Sequence, residues 1–219
     1  MKVMAIVPAY NEEQRLEDTL QAIKSIPSVD MIRVVNDGSS DRTAEVALQA
    51  GVELIDLKTN VGKGEALNIA SKDVPADVVV FLDADLGKTA AEGEKIIRPI
   101  IDGEADLCIG KFPPPLKKGG FGFVKRLAAW GIRKEGLEVL EPLSGQRAMK
   151  VEVLKKVLPF HSGFGIEVGM TIRALRNGYR VKEVPVNMGH AETGRDLKGF
   201  IHRGEQFWDV LKVILRERR

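Results

Sequence analysis

Over its first 110 residues this chain alternates short apolar runs with helical patterns, and that alternation restricts the fold more than any other feature. Apolar runs occupy 2–7, 31–35, 52–57, 77–82 and 105–109, with helix-period segments at about 11–25, 41–50, 63–72 and 89–102 between them. Such repetition predicts a Rossmann-like α/β fold: a mostly parallel sheet with right-handed crossovers and helices on both faces. Val78-Val79-Val80-Phe81-Leu82 is the clearest member. A valine-rich run this short reads as a strand buried on both faces.

After Gly110 the texture changes. Phe112-Pro113-Pro114-Pro115-Leu116-Lys117-Lys118-Gly119-Gly120 is a loop, because its prolines and glycines can continue neither a helix nor a central strand. Phe121 to Lys134 then reads as a basic amphipathic helix with Phe121, Val124, Leu127, Ala128 and Ile132 on one side. A segment around 139–149, helices near 151–157 and 165–177, a strand at 179–187 and a terminal helix from about 197 to 216 complete the pattern. The expectation is a single domain, with 1–110 as its ligand-binding α/β half and 111–219 as a C-terminal elaboration within the same compact unit.

Composition excludes several classes. With 44% hydrophobic and 29% charged residues the chain belongs with ordinary globular domains, and its net charge of +2 gives no argument for a nucleic-acid partner. The single cysteine, Cys108, lies in a predicted strand and reads as a small buried residue, so no disulfide framework is expected. No apolar run reaches membrane-spanning length, and the chain opens directly on a strand, which together predict a cytoplasmic protein.

The first four strand candidates all end in polar residues. These are Pro8-Ala9-Tyr10-Asn11-Glu12, Asn36-Asp37-Gly38-Ser39-Ser40-Asp41, Thr59-Asn60-Val61-Gly62-Lys63-Gly64 and Asp83-Ala84-Asp85. In a parallel sheet the carboxyl ends share one edge, so these loops line one crevice. Taken singly, each has a bland reading: an asparagine cap, an Asp-Gly turn, a solvated loop after a core strand. Gly62-Lys63-Gly64 lacks the P-loop spacing, and no G-x-G-x-x-G follows the first strand. Together they offer an aromatic face, carboxylates for ribose, a lysine beside glycines and a carboxylate pair for a hard divalent cation, which are the parts a nucleotide diphosphate needs.

As an ordered set these four loops resemble the signatures of family-2 nucleotide-sugar glycosyltransferases, which have the A-type glycosyltransferase fold. The resemblance implies that Pro8, Ala9, Tyr10, Glu12, Asp37 and Ala84 hold base and ribose, with Lys63 beside the nucleotide. It implies Asp83 at the ribose or the metal, and Asp85 as ligand to Mg²⁺ or Mn²⁺. In the second half, Leu143-Ser144-Gly145-Gln146-Arg147-Ala148 and Gly163-Phe164-Gly165-Ile166-Glu167 are similar to segments of polyprenyl-phosphate sugar transferases and glucosyl-3-phosphoglycerate synthases. By that likeness Ser144, Gly145, Gln146, Arg147, Glu167 and Arg195 face the donor sugar or acceptor. Gly87 stands where lipid-linked mannosyltransferases carry a glutamine, which turns attention to His190 as a further metal ligand.

The reaction implied is departure of a nucleoside diphosphate from a sugar's anomeric carbon, with Lys63, Arg147 and Arg195 supplying positive charge. Glu167 is the first candidate for a base and Asp106 a weaker one; Glu167 equally fits a helix-dipole role. His161 and His202 carry no specific expectation, and inversion or retention stays open. The partners expected are a UDP- or GDP-sugar donor, a lipid-phosphate acceptor ahead of a small acid such as 3-phosphoglycerate, a peripheral membrane contact and a homodimeric mate. A non-catalytic nucleotide-sugar sensor is the alternative of another class; a D-x-D phosphatase is disfavoured because three strands precede the motif.

Overall fold

The structure, a computed structural model, describes residues 1–113, 122–161, 163–189 and 198–217, with the backbone alone for 164 and 198–206. Seven strands form one sheet in the order β3-β2-β1-β4-β6-β5-β7. These are β1 (Val3–Ala9), β2 (Met31–Asn36), β3 (Glu53–Asp56), β4 (Val78–Phe81), β5 (Leu107–Lys111), β6 (Arg147–Lys150) and β7 (Val181–Pro185). Helices α1 (Leu16–Lys24), α2 (Thr43–Gln49), α3 (Lys63–Ala70) and α4 (Gly93–Ile101) connect the first five strands, with a 3-10 turn over Gly87–Glu92 leading into α4. Helices α5 (Gly122–Arg133), α6 (Val151–Val157), α7 (Ile166–Arg176) and α8 (Lys198–Arg216) belong to the second half.

Side-chain alternation along the central strands creates two cores, since successive residues of a strand point to opposite faces. Val3, Ala5 and Val7 of β1 join Val78 and Val80 of β4 and the α1 and α4 residues Leu16, Leu20, Ile96 and Ile100. Met4 and Ile6 join Val79 and Phe81 on the other face, against Leu67, Val153, Leu154, Ile166 and Met170. A third cluster lies away from the sheet, where Val124, Ala128 and Ile132 of α5 meet Val168 and Ile172 of α7 and Val210 and Ile214 of α8. The buried stripe expected for α5 is therefore observed in Val124, Ala128 and Ile132, while Phe121 lies outside the described residues.

One strand departs from the sequence expectation. Residues 147–150, expected only as part of an unassigned segment, form β6, which runs antiparallel between β4 and β5. Arg-Ala-Met-Lys is too short and mixed to announce a strand. It becomes one because β4 and β5 each present an unpaired edge that a buried sheet must satisfy. As a result the two halves of the chain interleave within one sheet.

At the amino-terminal edge of β5, Asp106 accepts hydrogen bonds from Arg180 Nε at 3.0 Å and from the Arg180 backbone N–H at 2.9 Å, with Lys150 Nζ 2.8 Å away. It thereby ties β5, β6 and the approach to β7. Since β5 runs parallel to β4, Asp106 sits opposite the crevice edge and is not placed to act as a base there. The Arg180 hydrogen bonds, with Lys150 adding to them and burial opposing, hold its carboxyl well below the usual carboxylate range. A depressed native pKa contributes stability above the ordinary aspartate value of 3.8, and this contribution is lost as pH falls toward the folded pKa. Urea unfolding across pH 2–7 should therefore show stability falling below about pH 4, with Asp106→Asn less stable at neutrality and flatter in that window. An unchanged acid limb in the variant would contradict this assignment.

Candidate active site at the carboxyl edge of the sheet

Strands β1 to β4 are mutually parallel, so their four loops meet at one edge around a crevice of about 360 Å³. Pro8, Ala9, Tyr10, Glu12, Asp37, Lys63, Asp83, Ala84 and Asp85, all singled out from the sequence, line it together with Asn60, Gly62 and Ala66. Tyr10 is 50% exposed and offers a ring face to a planar ligand.

The second and third loops are locked together. Asp37 is buried, and its carboxylate accepts the backbone N–H groups of Val61 at 2.7 Å and Gly62 at 3.0 Å. Gly38 adopts a positive φ of 67°, and a Cβ there would collide with the backbone of Thr59 and Asn60. The Asp37-Gly38 pair thus clasps the loop that delivers Lys63. Asn36 Nδ2 donates to Asp56 Oδ1 at 2.7 Å and braces the ends of β2 and β3.

The antiparallel register of β6 determines what faces Asp83. Phe81 pairs with Arg147, so the residues just before Arg147 fall opposite those just after Phe81. Gln146, fully buried, donates from Nε2 to Asp83 Oδ2 at 2.6 Å and accepts the Asp83 backbone N–H at 3.0 Å. That orientation of the amide alone satisfies both groups, because an ionised carboxylate only accepts and a backbone N–H only donates. Lys63 Nζ bonds the other oxygen, Asp83 Oδ1, at 2.6 Å. Gly145 lies over this pair: an added Cβ would stand 2.9 Å from Lys63 Nζ and 3.2 Å from Asp83 Oδ2.

The resemblance put Arg147 in the catalytic set and at the donor sugar; the structure turns it inward. It is 1% exposed, and it donates to Ser144 O at 2.8 Å, Thr171 Oγ1 at 2.8 Å and Pro142 O at 3.1 Å. Burial pulls its pKa down to about 10, against the opposing fields of Glu167 and Glu183. Its guanidinium shapes the 142–146 loop from behind. The Ser144 hydroxyl on this loop is buried with no hydrogen-bond partner among the described residues. Glu167 lies in the first turn of α7, half-buried, and its field reaches both Lys63 and Arg147. His190 and Arg195 lie outside the described residues.

The crevice is acidic: among the described residues, Glu12, Asp37, Asp83 and Asp85 line it with the single cation Lys63. Burial lowers the Lys63 pKa, but Asp83, Glu167 and Asp85 outweigh it and hold the ammonium above its ordinary value. Although 39% of the Lys63 side-chain surface is exposed, its charged end lies deep among these groups. Glu12 moves upward, first through burial and then through the Asp85 carboxylate. Cys108 is buried and its thiol is pushed up to about 12, in keeping with an inert core residue.

Thr19 is a functional support that the sequence does not mark. Fully buried in α1, its hydroxyl donates to Ala84 O at 2.7 Å and accepts the Gly87 N–H at 2.8 Å, pinning both sides of Asp85. A threonine within an amphipathic helix carries no local signal for this role.

Among the described residues no three His, Cys, Asp or Glu side chains gather into a metal cluster. Asp85 and Asp83 offer hard carboxylate oxygens at the crevice wall, although both Asp83 oxygens already accept protein hydrogen bonds. This suits Mg²⁺ or Mn²⁺, since Mg²⁺ commonly takes one or two carboxylates and completes its shell with substrate phosphate and water.

Fold and crevice define a doubly wound α/β protein with a nucleotide-sized site where its parallel strands end. The chain belongs to glycosyl transferase family 2, whose model matches residues 4–164. Glucosyl-3-phosphoglycerate synthase from Mycobacterium tuberculosis, solved with Mn²⁺, uridine diphosphate and phosphoglyceric acid, shares the fold at a TM-score of 0.83 and 27% identity, over 99% of this chain and 78% of that one. This is the A-type glycosyltransferase fold expected from the motifs. Dolichol-phosphate mannosyltransferase of Pyrococcus furiosus is 30% identical over 230 residues, 99% of this chain and 63% of that protein. An uncharacterized protein of Methanocaldococcus jannaschii is 29% identical over 202 residues, 87% of this chain and 83% of that one. The chain spans 63% of the mannosyltransferase and 60% of the curated synthase sequence, less than two thirds of either.

Gly145→Ala tests the packing over the Lys63–Asp83 pair. Losing a charge-assisted hydrogen bond costs about 1.5–3 kcal/mol, so nucleotide affinity by calorimetry should fall roughly ten- to hundredfold, with the far-UV spectrum unchanged. Wild-type affinity in this variant would contradict the assigned geometry.

Proposed function

We propose that the protein transfers a sugar from a nucleoside-diphosphate sugar to a phosphate-bearing acceptor, with Mg²⁺ or Mn²⁺ bound in the same crevice. The observation carrying this reading is the meeting of Lys63, Asp83 and Asp85 with the 144–146 loop at the strand ends, beside Tyr10 and Asp37. In this reading Tyr10 packs on the base, and the loop held by Asp37 flanks the ribose. Asp83, oriented by Gln146, accepts from a ribose hydroxyl or joins the metal. Lys63, kept protonated by its carboxylate neighbours, places positive charge where the leaving phosphate accumulates negative charge.

Asp85 would hold the cation, with His190 as a further candidate; bound there, the ion supplies Lewis-acid stabilisation of the leaving diphosphate. The bond from the anomeric carbon to the phosphate oxygen breaks, and a bond from that carbon to an acceptor oxygen forms. Glu167, whose field reaches Lys63 and Arg147, is assigned to the acceptor in this reading. Arg147 acts as a positioning residue for the sugar loop, and Ser144 offers that loop's hydroxyl. The names of two relatives, a dolichol-phosphate mannosyltransferase and a glucosyl-3-phosphoglycerate synthase, both contain a phosphate-bearing acceptor, which supports that class here. An anionic phosphate oxygen, as on a lipid phosphate, needs no proton removed before it attacks; a hydroxyl of a small phosphorylated acid does, and Glu167 is the candidate base to accept it.

Calorimetry with a panel of UDP- and GDP-sugars, with and without Mn²⁺, should find one donor whose binding requires the ion and is abolished by Asp85→Ala. Metal-independent binding, or no binding to any nucleotide sugar, would refute the proposal. Slow release of nucleoside diphosphate from that donor separates an enzyme from a sensor.

A further inference from the structure

The outer face of α5 is itself partly apolar. Its inner face packs Val124, Ala128 and Ile132 on α7 and α8, and α8 comes so close that a Cβ on Gly131 would lie 2.6 Å from Ile214. The exposed side chains are Phe123, Arg126, Trp130, Arg133 and, just past the helix end, Lys134. Counted from Phe123 they fall at i+3, i+7, i+10 and i+11, which is one helical face. Phe123 is 79% exposed and Trp130 41%, with the Lys134 ammonium 4.1 Å from the Trp130 ring centroid. The helix contains no aspartate or glutamate, and its remaining cation, Lys125, pairs with Glu141. On α8, Trp208 is 60% and Leu215 50% exposed, beside exposed Lys212 and Arg216.

We propose that this surface docks on an anionic lipid bilayer. Exposed rings beside cations that form no ion pair among the described residues match the headgroup region, where aromatic side chains settle at the polar boundary and each cation gains from the negative surface potential. A second copy of the chain is a poorer occupant, because stacking this face on itself would bring Arg126, Arg133 and Lys134 toward their own copies, whereas protein interface cores are depleted of charge. The surface is mechanically joined to the site. Val168, one residue beyond Glu167, packs in the α5–α8 cluster, and a Cβ on Gly165 would meet Val213 of α8. The inference goes beyond the transfer reaction proposed above: a bilayer held here would present a lipid-borne phosphate on the Glu167 side.

The test does not depend on turnover. Trp130 and Trp208 are the only tryptophans in the chain, so intrinsic emission reports on the exposed faces of α5 and α8. With vesicles of phosphatidylglycerol and phosphatidylcholine, emission should shift to the blue, be quenched by brominated acyl chains, and revert in high salt. The double variant Arg126→Glu, Arg133→Glu should weaken vesicle partitioning at least about tenfold, while Phe123→Ser weakens it without removing the salt dependence. Neither should alter calorimetric binding of the nucleotide donor, which keeps this outcome separate from that of the transfer reaction. Absence of a shift with any vesicle, or equal and salt-insensitive binding to pure phosphatidylcholine, overturns the proposal. So does concentration-dependent self-association that shifts the emission without lipid, which would assign the face to a second copy.

Discussion

The clasp between Gln146 and Asp83 joins the two halves of the chain at the point where the chemistry is proposed. One amide satisfies both the backbone N–H and the carboxylate of Asp83, leaving the second carboxylate oxygen to Lys63. Buried, charge-assisted hydrogen bonds of this kind are stronger than neutral ones and tolerate little displacement. The clasp exists because β6 runs antiparallel beside β4 in a register that pairs Phe81 with Arg147. A shift of one residue would send Gln146 to the other face of the sheet. Sheet register, loop shape and the orientation of Asp83 are therefore one property.

Several buried polar residues support this arrangement by satisfying backbone groups around the crevice. Arg147 spends its donors on the carbonyls of its own loop and on Thr171, Asp37 on the amides before Lys63, and Thr19 on the turn that carries Asp85. Each satisfies backbone groups that a buried loop would otherwise leave unpaired. The site is thus rigid where it positions charge. The electrostatics are local too: Lys63 is held above its ordinary pKa by the carboxylates of Asp83, Glu167 and Asp85, and Glu12 feels Asp85 across the crevice.

Legibility in the sequence followed the range of the interaction. Strands β1 to β5 and their helices were readable because alternation and apolar runs are local, and the crevice residues from Pro8 to Asp85 followed from the rule that parallel strand ends share an edge. The expected helix over 89–102 proved to be a 3-10 turn followed by α4, a boundary that local periodicity does not resolve. Motif likeness points Arg147 at the ligand, and only its burial in the folded chain shows the inward direction. In the terminal helix Val210 and Ile214 are buried, whereas Trp208 faces outward, a division that composition does not announce.

By itself, the sequence determined the α/β class, the edge at which ligands gather and the acidic and basic residues brought to that edge, because these depend on periodicity and strand direction. Only the tertiary structure decided that β6 enters the sheet antiparallel, that Gln146 orients Asp83, that Thr19 anchors the Asp85 turn and that Phe123, Trp130 and Trp208 remain outside the core. Those features depend on register and on which faces find partners, and such contacts link residues too far apart in the chain for any local pattern to record them.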